Sequence, residues 1–365
     1  MNRTPRPTER AARAYDDDDP LASFRDRFTA PAEIYLDGNS LGPASDAAEA
    51  ALYRTVDKWR ELGIRAWTEA DPPWFEYGER LGDHLAPHLG AREQEVVAAN
   101  STTVNIHTLL GTFLENEDVE PRVLVDELDF PTDHYAIRAQ LRQRGYDPED
   151  HLIIVDSRDG RTIAEDAVIA AMDEHDVGIV FLPSVLYRSG QLLDLERITK
   201  AAHNRGILAG FDLAHSVGVV PHSLSEIGVD FAVWCHYKYL NAGPGAIGGL
   251  YVNERHHDTT PALAGWWGHE KATQFDMNTT FTPAADSGAW QIGTVNVFSA
   301  APLFGALKLL DEAGIETVRE ASLDRTAYLM ALVDEHLADT EYTIGTPQEA
   351  ERRGGHVAIE HPEAE

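Results

Sequence analysis

Lys238 stands in the run Trp234-Cys235-His236-Tyr237-Lys238-Tyr239-Leu240-Asn241 and is one of only five lysines in 365 residues. Upstream lies Phe211-Asp212-Leu213-Ala214-His215, where an aspartate closes an apolar stretch of strand length. An aspartate at the carboxyl end of a strand, followed one strand–turn–strand step later by a lysine in aromatic surroundings, points to a pyridoxal phosphate (PLP) site. The lysine amine forms a Schiff base with the aldehyde of that cofactor. The aspartate pairs with the protonated pyridine nitrogen and makes the ring an electron sink. Schiff-base chemistry works through the neutral amine, which a desolvated setting favours. The glycine-rich turn Asn241-Ala242-Gly243-Pro244-Gly245 beside the lysine lets backbone approach a ligand closely. Alone, Asp212 reads as a helix N-cap and Lys238 as a solvated lysine. The pair in this order outweighs both readings.

Further segments could serve the same site. Asn100-Ser101-Thr102-Thr103 lies between a predicted strand and helix, where first-turn amides and hydroxyls bind anions; simple capping is the alternative. Phe130 in Phe130-Pro131-Thr132-Asp133 could stack on a flat ring or fill the core. His215 could contact the ring, orient Asp212, or be structural. Gly265-Trp266-Trp267-Gly268-His269 sets indoles on a loop, and Gly293-Thr294-Val295-Asn296 precedes a long helix that could reach a neighbouring subunit.

The elements that must carry these residues alternate. Helical spacing covers Ala44–Leu62 and Trp74–Leu89. Strands are expected at 96–99, 122–126, 152–155, 178–182, 207–213, 231–235 and 246–252. Helices are expected at 103–114, 133–144, 163–174 and 195–205. Repeated β-α-β units with short apolar strands argue an α/β fold, with a mostly parallel sheet flanked by helices and right-handed crossovers. Active sites in such sheets sit at the carboxyl ends of the strands, where Asp212 and Lys238 fall. The expected division is an N-terminal segment, 1–45, and a large cofactor-binding domain, 46–298. Bridging helices and the start of a smaller α+β C-terminal domain fill 299–365, with strands at 342–344 and 356–359.

The chain carries 61 acidic against 30 basic residues, a net charge of −31. That surface repels nucleic acid and anionic membrane, so neither is an expected partner. It suits a halophilic setting, where ions screen self-repulsion. The lone Cys235 excludes an internal disulfide and a cysteine-rich metal site, and a cytoplasmic location is expected. The first twenty residues lack the apolar stretch of a signal peptide.

Together the segments resemble the kynureninases, PLP-dependent enzymes of aspartate aminotransferase fold type I. The resemblance runs from about Tyr35 to the last residue. It is carried by Tyr35-Leu36-Asp37-Gly38-Asn39-Ser40-Leu41-Gly42, Phe130-Pro131-Thr132-Asp133-His134-Tyr135, Phe211-Asp212-Leu213-Ala214-His215, Tyr237-Lys238-Tyr239-Leu240-Asn241 and Gly265-Trp266-Trp267-Gly268-His269, in that order. It implies Lys238 as the Schiff-base lysine, Asp212 as the pyridinium partner and Phe130 as the stacking ring. Thr102, Thr103, Tyr237, Trp266 and Thr294 become cofactor contacts, mostly around the phosphate, with Pro131, Thr132, Asp133 and His215 as further ones. Trp67 falls near the substrate's aromatic ring. Trp266 and Thr294 reach the partner's cofactor, so a homodimer with shared sites is implied.

The implied reaction is hydrolysis of L-kynurenine, or 3-hydroxykynurenine, to the anthranilate and L-alanine, in tryptophan catabolism and NAD biosynthesis. Tyr237 is a second catalytic candidate, as proton donor. Two departures stand out. Pro183 replaces a usual hydroxyl residue, which Ser184 could supply. The family also continues past His361-Pro362-Glu363 with an arginine that clamps the substrate carboxylate, so the chain is expected to be C-terminally incomplete. The alternatives are another fold type I enzyme, desulfurase-like or an aminotransferase, and a PLP-binding chain without turnover.

Overall fold

The computed structural model describes residues 7–31 and 34–363. Seven strands form the central sheet: β1 (Val96–Ala98), β2 (Val123–Asp126), β3 (Leu152–Val155), β4 (Ile179–Pro183), β5 (Leu208–Asp212), β6 (Phe231–Cys235) and β7 (Gly248–Val252). Their spatial order is β1-β7-β6-β5-β4-β2-β3. The pairs β2–β3, β2–β4, β4–β5 and β5–β6 are parallel, while β7 runs antiparallel to β6 and to β1.

These strands are short apolar runs because both faces of the sheet are covered. Successive side chains alternate between two cores. Val123, Val125, Ile179, Phe181 and Phe231 enter one; Leu124, Val180, Leu182, Phe211 and Trp234 enter the other. Gly210 on β5 has no side chain because the Phe231 ring occupies that space. The ring in turn stacks 4.8 Å from Phe113.

The main helices from Asp46 onward are α1 (Asp46–Leu62), α2 (Tyr77–Leu89), α3 (Thr102–Leu114), α4 (Pro131–Gln143), α5 (Glu165–Glu174), α6 (Leu195–His203), α7 (Val297–Ala313) and α8 (Ile315–His336). Helix α1 starts two residues later than expected. Ser45 caps it by accepting from the Ala48 amide at 3.1 Å, and Ala44-Ser45 pairs with Phe28-Thr29 instead. Near the C-terminus Thr343–Ile344 pairs with Ile359–Glu360. The expected strand over 356–359 is thus largely absent. Its first residue, His356, turns its Nε2 to the Tyr187 carbonyl, and the preceding Arg353 and Gly354 pair with Gln191 and Gly190 of the sheet domain. Among the described residues no helix is long and apolar enough to cross a membrane.

The end of β6 away from Lys238 carries a buried anion. Asp230, 1% exposed, accepts hydrogen bonds from the Ala209 amide at 2.7 Å, His203 at 2.9 Å, His256 at 2.7 Å and Arg255. Burial pushes this carboxyl up, but these donors outweigh it and hold it below the usual carboxylate range. A depressed folded value means that stabilisation is complete above the unfolded value and is lost as pH falls toward the folded one. Asp230→Ala should therefore lose about 3 kcal/mol at pH 7, by analogy with other broken buried pairs. Urea unfolding would also find the gap between variant and parent narrowing below about pH 4, near the unfolded carboxyl value.

Candidate active site

Asp212 is the last residue of β5, and the turn after β6 carries Lys238. The parallel pairing of Asp212 with Val233 brings these strand ends side by side. A cavity of about 350 Å³ opens there. Its wall includes Lys238, Asp212, His215, Tyr237, Phe130, Thr102, Thr103 and Thr132. The Lys238 amine lies 2.7 Å from His215 Nε2 and 6.0 Å from the centre of the Phe130 ring.

That contact assigns the histidine. An ammonium can only donate, so Nε2 accepts and the ring proton sits on Nδ1. Burial, and then Lys238, push His215 far below its ordinary value, which keeps it neutral. Its buried Nδ1 has no hydrogen-bond partner among the described residues.

Asp212 is fixed from three sides. Its Oδ1 accepts the Ala214 amide at 2.7 Å, and its backbone carbonyl accepts the Ser184 amide at 2.8 Å. Ser184 Oγ hydrogen-bonds Ser216 Oγ at 2.7 Å and the same carbonyl at 3.2 Å, so it supplies no hydroxyl to the cavity. That corrects the expectation drawn from Pro183. Burial raises the Asp212 carboxyl, and Lys238 and the Ala214 amide oppose that rise.

Beneath Asp212 lies a stack of further acids. Asp133, Asp129 and Asp126 are buried. Neither oxygen of Asp133 meets an N–H or O–H donor among the described residues, and one oxygen each of Asp129 and Asp126 is likewise unmet. Burial, then neighbouring carboxylates, push Asp129 and Asp133 well above the usual range, and burial takes Asp126 to about 7. Carboxyl groups that face one another without donors hold together only by sharing protons.

The other end of the cavity is the start of α3. Asn100, in the left-handed region at φ 51°, turns the chain into the helix, and its side chain is tied to Asn105 at 2.9 Å. No side chain caps α3. Thr103 and Thr132 hydroxyls lie 2.8 Å apart. First-turn amides and hydroxyls suit a phosphate, the neutral donor at His215 Nδ1 is unspent, and an acid sits at the far end. These residues fit pyridoxal phosphate.

The structure gathers most of the expected site residues and leaves others apart. Pro131 opens α4 behind the wall. Trp266 is 48% exposed and Thr294 is exposed; neither lines the Lys238 cavity. Trp67 packs 5.4 Å from Trp267 and 5.7 Å from Trp74, also away from it. Conversely Ser40, Asp129, Val185 and Tyr187 line the wall. Ser40 had a signal, since it lies within Asp37–Gly42. The Gly42 amide donates to the Tyr237 carbonyl at 2.8 Å, and any side chain at Gly42 would strike the Lys238 carbonyl and Asn241. The Asp126, Asp129, Asp133 spacing was also visible, but nothing in it revealed burial.

The family model for aminotransferase class-V matches residues 46–365. A kynureninase from Geobacillus thermodenitrificans is 52% identical over 359 residues, which is 98% of this chain and 84% of the relative. One from Bacillus cereus is 51% identical over the same shares. The chain belongs to the kynureninase family. Among solved structures, the apo cysteine desulfurase of Thermococcus onnurineus superimposes with a TM-score of 0.74 at 18% identity, covering 100% of this chain and 84% of that one. The cysteine desulfurase CsdA of Escherichia coli gives 0.76 at 20%, covering 94% and 83%. These show the fold, fold type I with a mostly parallel sheet between helices. A kynureninase needs no nucleophilic cysteine. Cys235 ends β6, buried, with its thiol pushed up by burial, which is not the low-pKa, accessible setting of a reactive cysteine.

The acid stack has a measurable signature. Groups raised by burial bind protons in the native state that the unfolded chain has released, so cofactor-free protein loses stability as pH rises above about 4. Asp133→Asn, a neutral isostere, should fold and give a shallower decline between about pH 4 and 8 in thermal unfolding. An unchanged slope would mean that Asp133 ionises freely.

Proposed function

We propose that this chain hydrolyses L-kynurenine, or its 3-hydroxy form, to the corresponding anthranilate and L-alanine with pyridoxal 5'-phosphate as cofactor. The supporting observation is about 50% identity to kynureninases along 98% of the chain, with Lys238 and Asp212 meeting at one cavity. This reading also puts the reaction within tryptophan catabolism and NAD biosynthesis.

When bound, the cofactor supplies an electrophilic carbonyl carbon and a ring that takes up the electron pair left at the substrate Cα. The residues divide the remaining work. Lys238 would anchor the cofactor, give way to the substrate amine, and stand placed to take the Cα proton. His215 holds the Lys238 amine at 2.7 Å, so the freed base stays oriented. Asp212, backed by the proton-sharing acids, would keep the ring nitrogen protonated. Thr102, Thr103, Thr132 and the first amides of α3 would hold the phosphate, and Phe130 would cover one face of the ring. Burial, then Cys235 and Asp212, push the Tyr237 hydroxyl above its ordinary value. It therefore remains a phenol, able to donate its proton as the Cβ–Cγ bond breaks; a positioned proton donor is worth roughly 10²–10⁴-fold.

Trp266 and Thr294 find a use on the same reading when two copies pair. Exposed apolar groups lie around them, with Phe275 6.0 Å from Trp266, and Phe298 near Thr294 in sequence and 5.8 Å from Trp59. A homodimer that offers Trp266 and Thr294 to its neighbour's cofactor would cover this surface.

Two measurements test these points. With PLP and L-kynurenine the protein should release fluorescent anthranilate, and Lys238→Ala should abolish both that and the visible band of the lysine-bound cofactor; a band surviving in Lys238→Ala removes the anchor assignment. Mixed subunits of Lys238→Ala and Thr294→Ala should regain turnover that neither variant has alone. Failure of the mixture, with both variants dimeric by ultracentrifugation, would mean that each site is built from one chain.

A further inference from the structure

His356 has no place in the reading above, yet it stands one layer behind the cofactor cavity. It arrives on the segment Arg353–His356, far along the chain from the other wall residues. Three features seat this segment. Gln191 and Arg353 form an antiparallel bridge, and the Gly354 amide donates to the Gly190 carbonyl at 2.8 Å. Arg319, only 9% exposed, donates to the Arg353 and Gly354 carbonyls at 2.8 and 3.1 Å. Gly354 and Gly355 let the backbone lie against Val185 and Val219, which a side chain at either position would strike.

Both ring nitrogens of His356 are engaged. Nε2 lies 3.1 Å from the Tyr187 carbonyl, an acceptor, so Nε2 carries the proton. Nδ1 then accepts from the Tyr239 hydroxyl at 3.2 Å. Burial, with Lys238 adding to it, takes the ring to about 4, so this neutral arrangement holds at physiological pH.

What His356 grips matters to the site. Tyr187 stands edge-on to Phe130 at 5.3 Å and 6.5 Å from His215. The His356 ring is itself 5.6 Å from His215, whose Nε2 holds the Lys238 amine. Tyr239 follows Lys238 directly. One side chain thus ties the Tyr187 carbonyl to the hydroxyl of Tyr239, the residue after Lys238, and backs the histidine between them.

We propose that His356 is a positioning residue for the cofactor, holding Tyr187, Tyr239 and His215 so that the Lys238 amine and the Phe130 ring keep their places. It touches neither cofactor nor substrate and acts through those neighbours. The proposal rests on the PLP reading of the cavity.

The test uses spectroscopy on purified protein with PLP. Parent protein should bind PLP and form the lysine-bound visible band; no band in the parent would overturn the PLP reading itself. Given that band, His356→Ala should weaken PLP affinity about tenfold, the scale of one or two lost buried hydrogen bonds. It should also raise the pH midpoint of the band by about half a unit, because a wall loosened by the lost hydrogen bonds admits water, which favours the protonated form. His356→Gln, which restores a donor toward Tyr187, should recover most of both. Tyr239→Phe removes one bond without opening a void and should shift the midpoint in the same direction by less; it decides the matter should the alanine variant fail to fold. An unmoved midpoint in Tyr239→Phe and in a folded His356→Ala would reduce His356 to packing, as would a glutamine variant no better than alanine.

Discussion

The site depends on keeping negative charge out of water beside one amine. Asp212 is buried at the end of β5 with Lys238 beyond the adjacent strand, and Asp133, Asp129 and Asp126 are buried beneath it. Full ionisation of four enclosed carboxyls is untenable at low dielectric. Protons shared within the stack relieve the repulsion, and the amine offsets Asp212. On the cofactor reading proposed above, the resulting surplus of protons would lie where a pyridine nitrogen needs one, and electrostatic strain and cofactor activation would be one arrangement seen from two sides.

The fold holds this arrangement by covering both faces of the sheet and by bringing distant segments to one edge. Gly42 lets an N-terminal turn close on the carbonyl of Lys238. Gly354 and Gly355 let a C-terminal segment close on the opposite wall. At each place the missing side chain is the condition for contact, and a polar group follows it into position: Ser40 in the first case, His356 in the second. The far end of β6 has its own anion, Asp230, but there cations and amides surround the carboxylate and lower its proton affinity. Opposite treatments of buried acid at the two ends of the sheet separate a structural tie from a chemical centre.

Much of this was legible in the residues. Seven apolar runs separated by helical spacing marked the sheet, because strands buried on both faces must be apolar throughout. That Lys238, Asp212, Thr102, Thr103 and Phe130 meet at one cavity was legible because ligands in α/β folds bind at the carboxyl ends of the strands. The missed residues share a different cause. Tyr187 and His356 acquire their roles only from contacts across the chain, which no local pattern encodes. The run 356–359 looked like a strand because Val357, Ala358 and Ile359 are apolar, but His356 turns to the Tyr187 carbonyl and the preceding Gly354 bonds Gly190. The resemblance put Trp67 near the substrate's aromatic ring, and in the fold it packs against Trp267 and Trp74, outside the Lys238 cavity.

The order of the wall along the chain has a consequence for biosynthesis. As the polypeptide leaves the ribosome, Ser40, the α3 threonines, Phe130, Asp212 and Lys238 appear in turn, and His356 appears last. Until then Val185 and Val219 lack the glycines that cover them, and the wall behind His215 is open. Domains generally fold as units, the earlier ones first, while the chain is still growing. The nascent sheet domain could thus fold and meet pyridoxal phosphate with its rear wall unfinished, leaving a loosely held cofactor and an apolar patch for chaperones to shield. The seal that forms when Arg353–His356 docks would mark the passage from a folding intermediate to a holoenzyme.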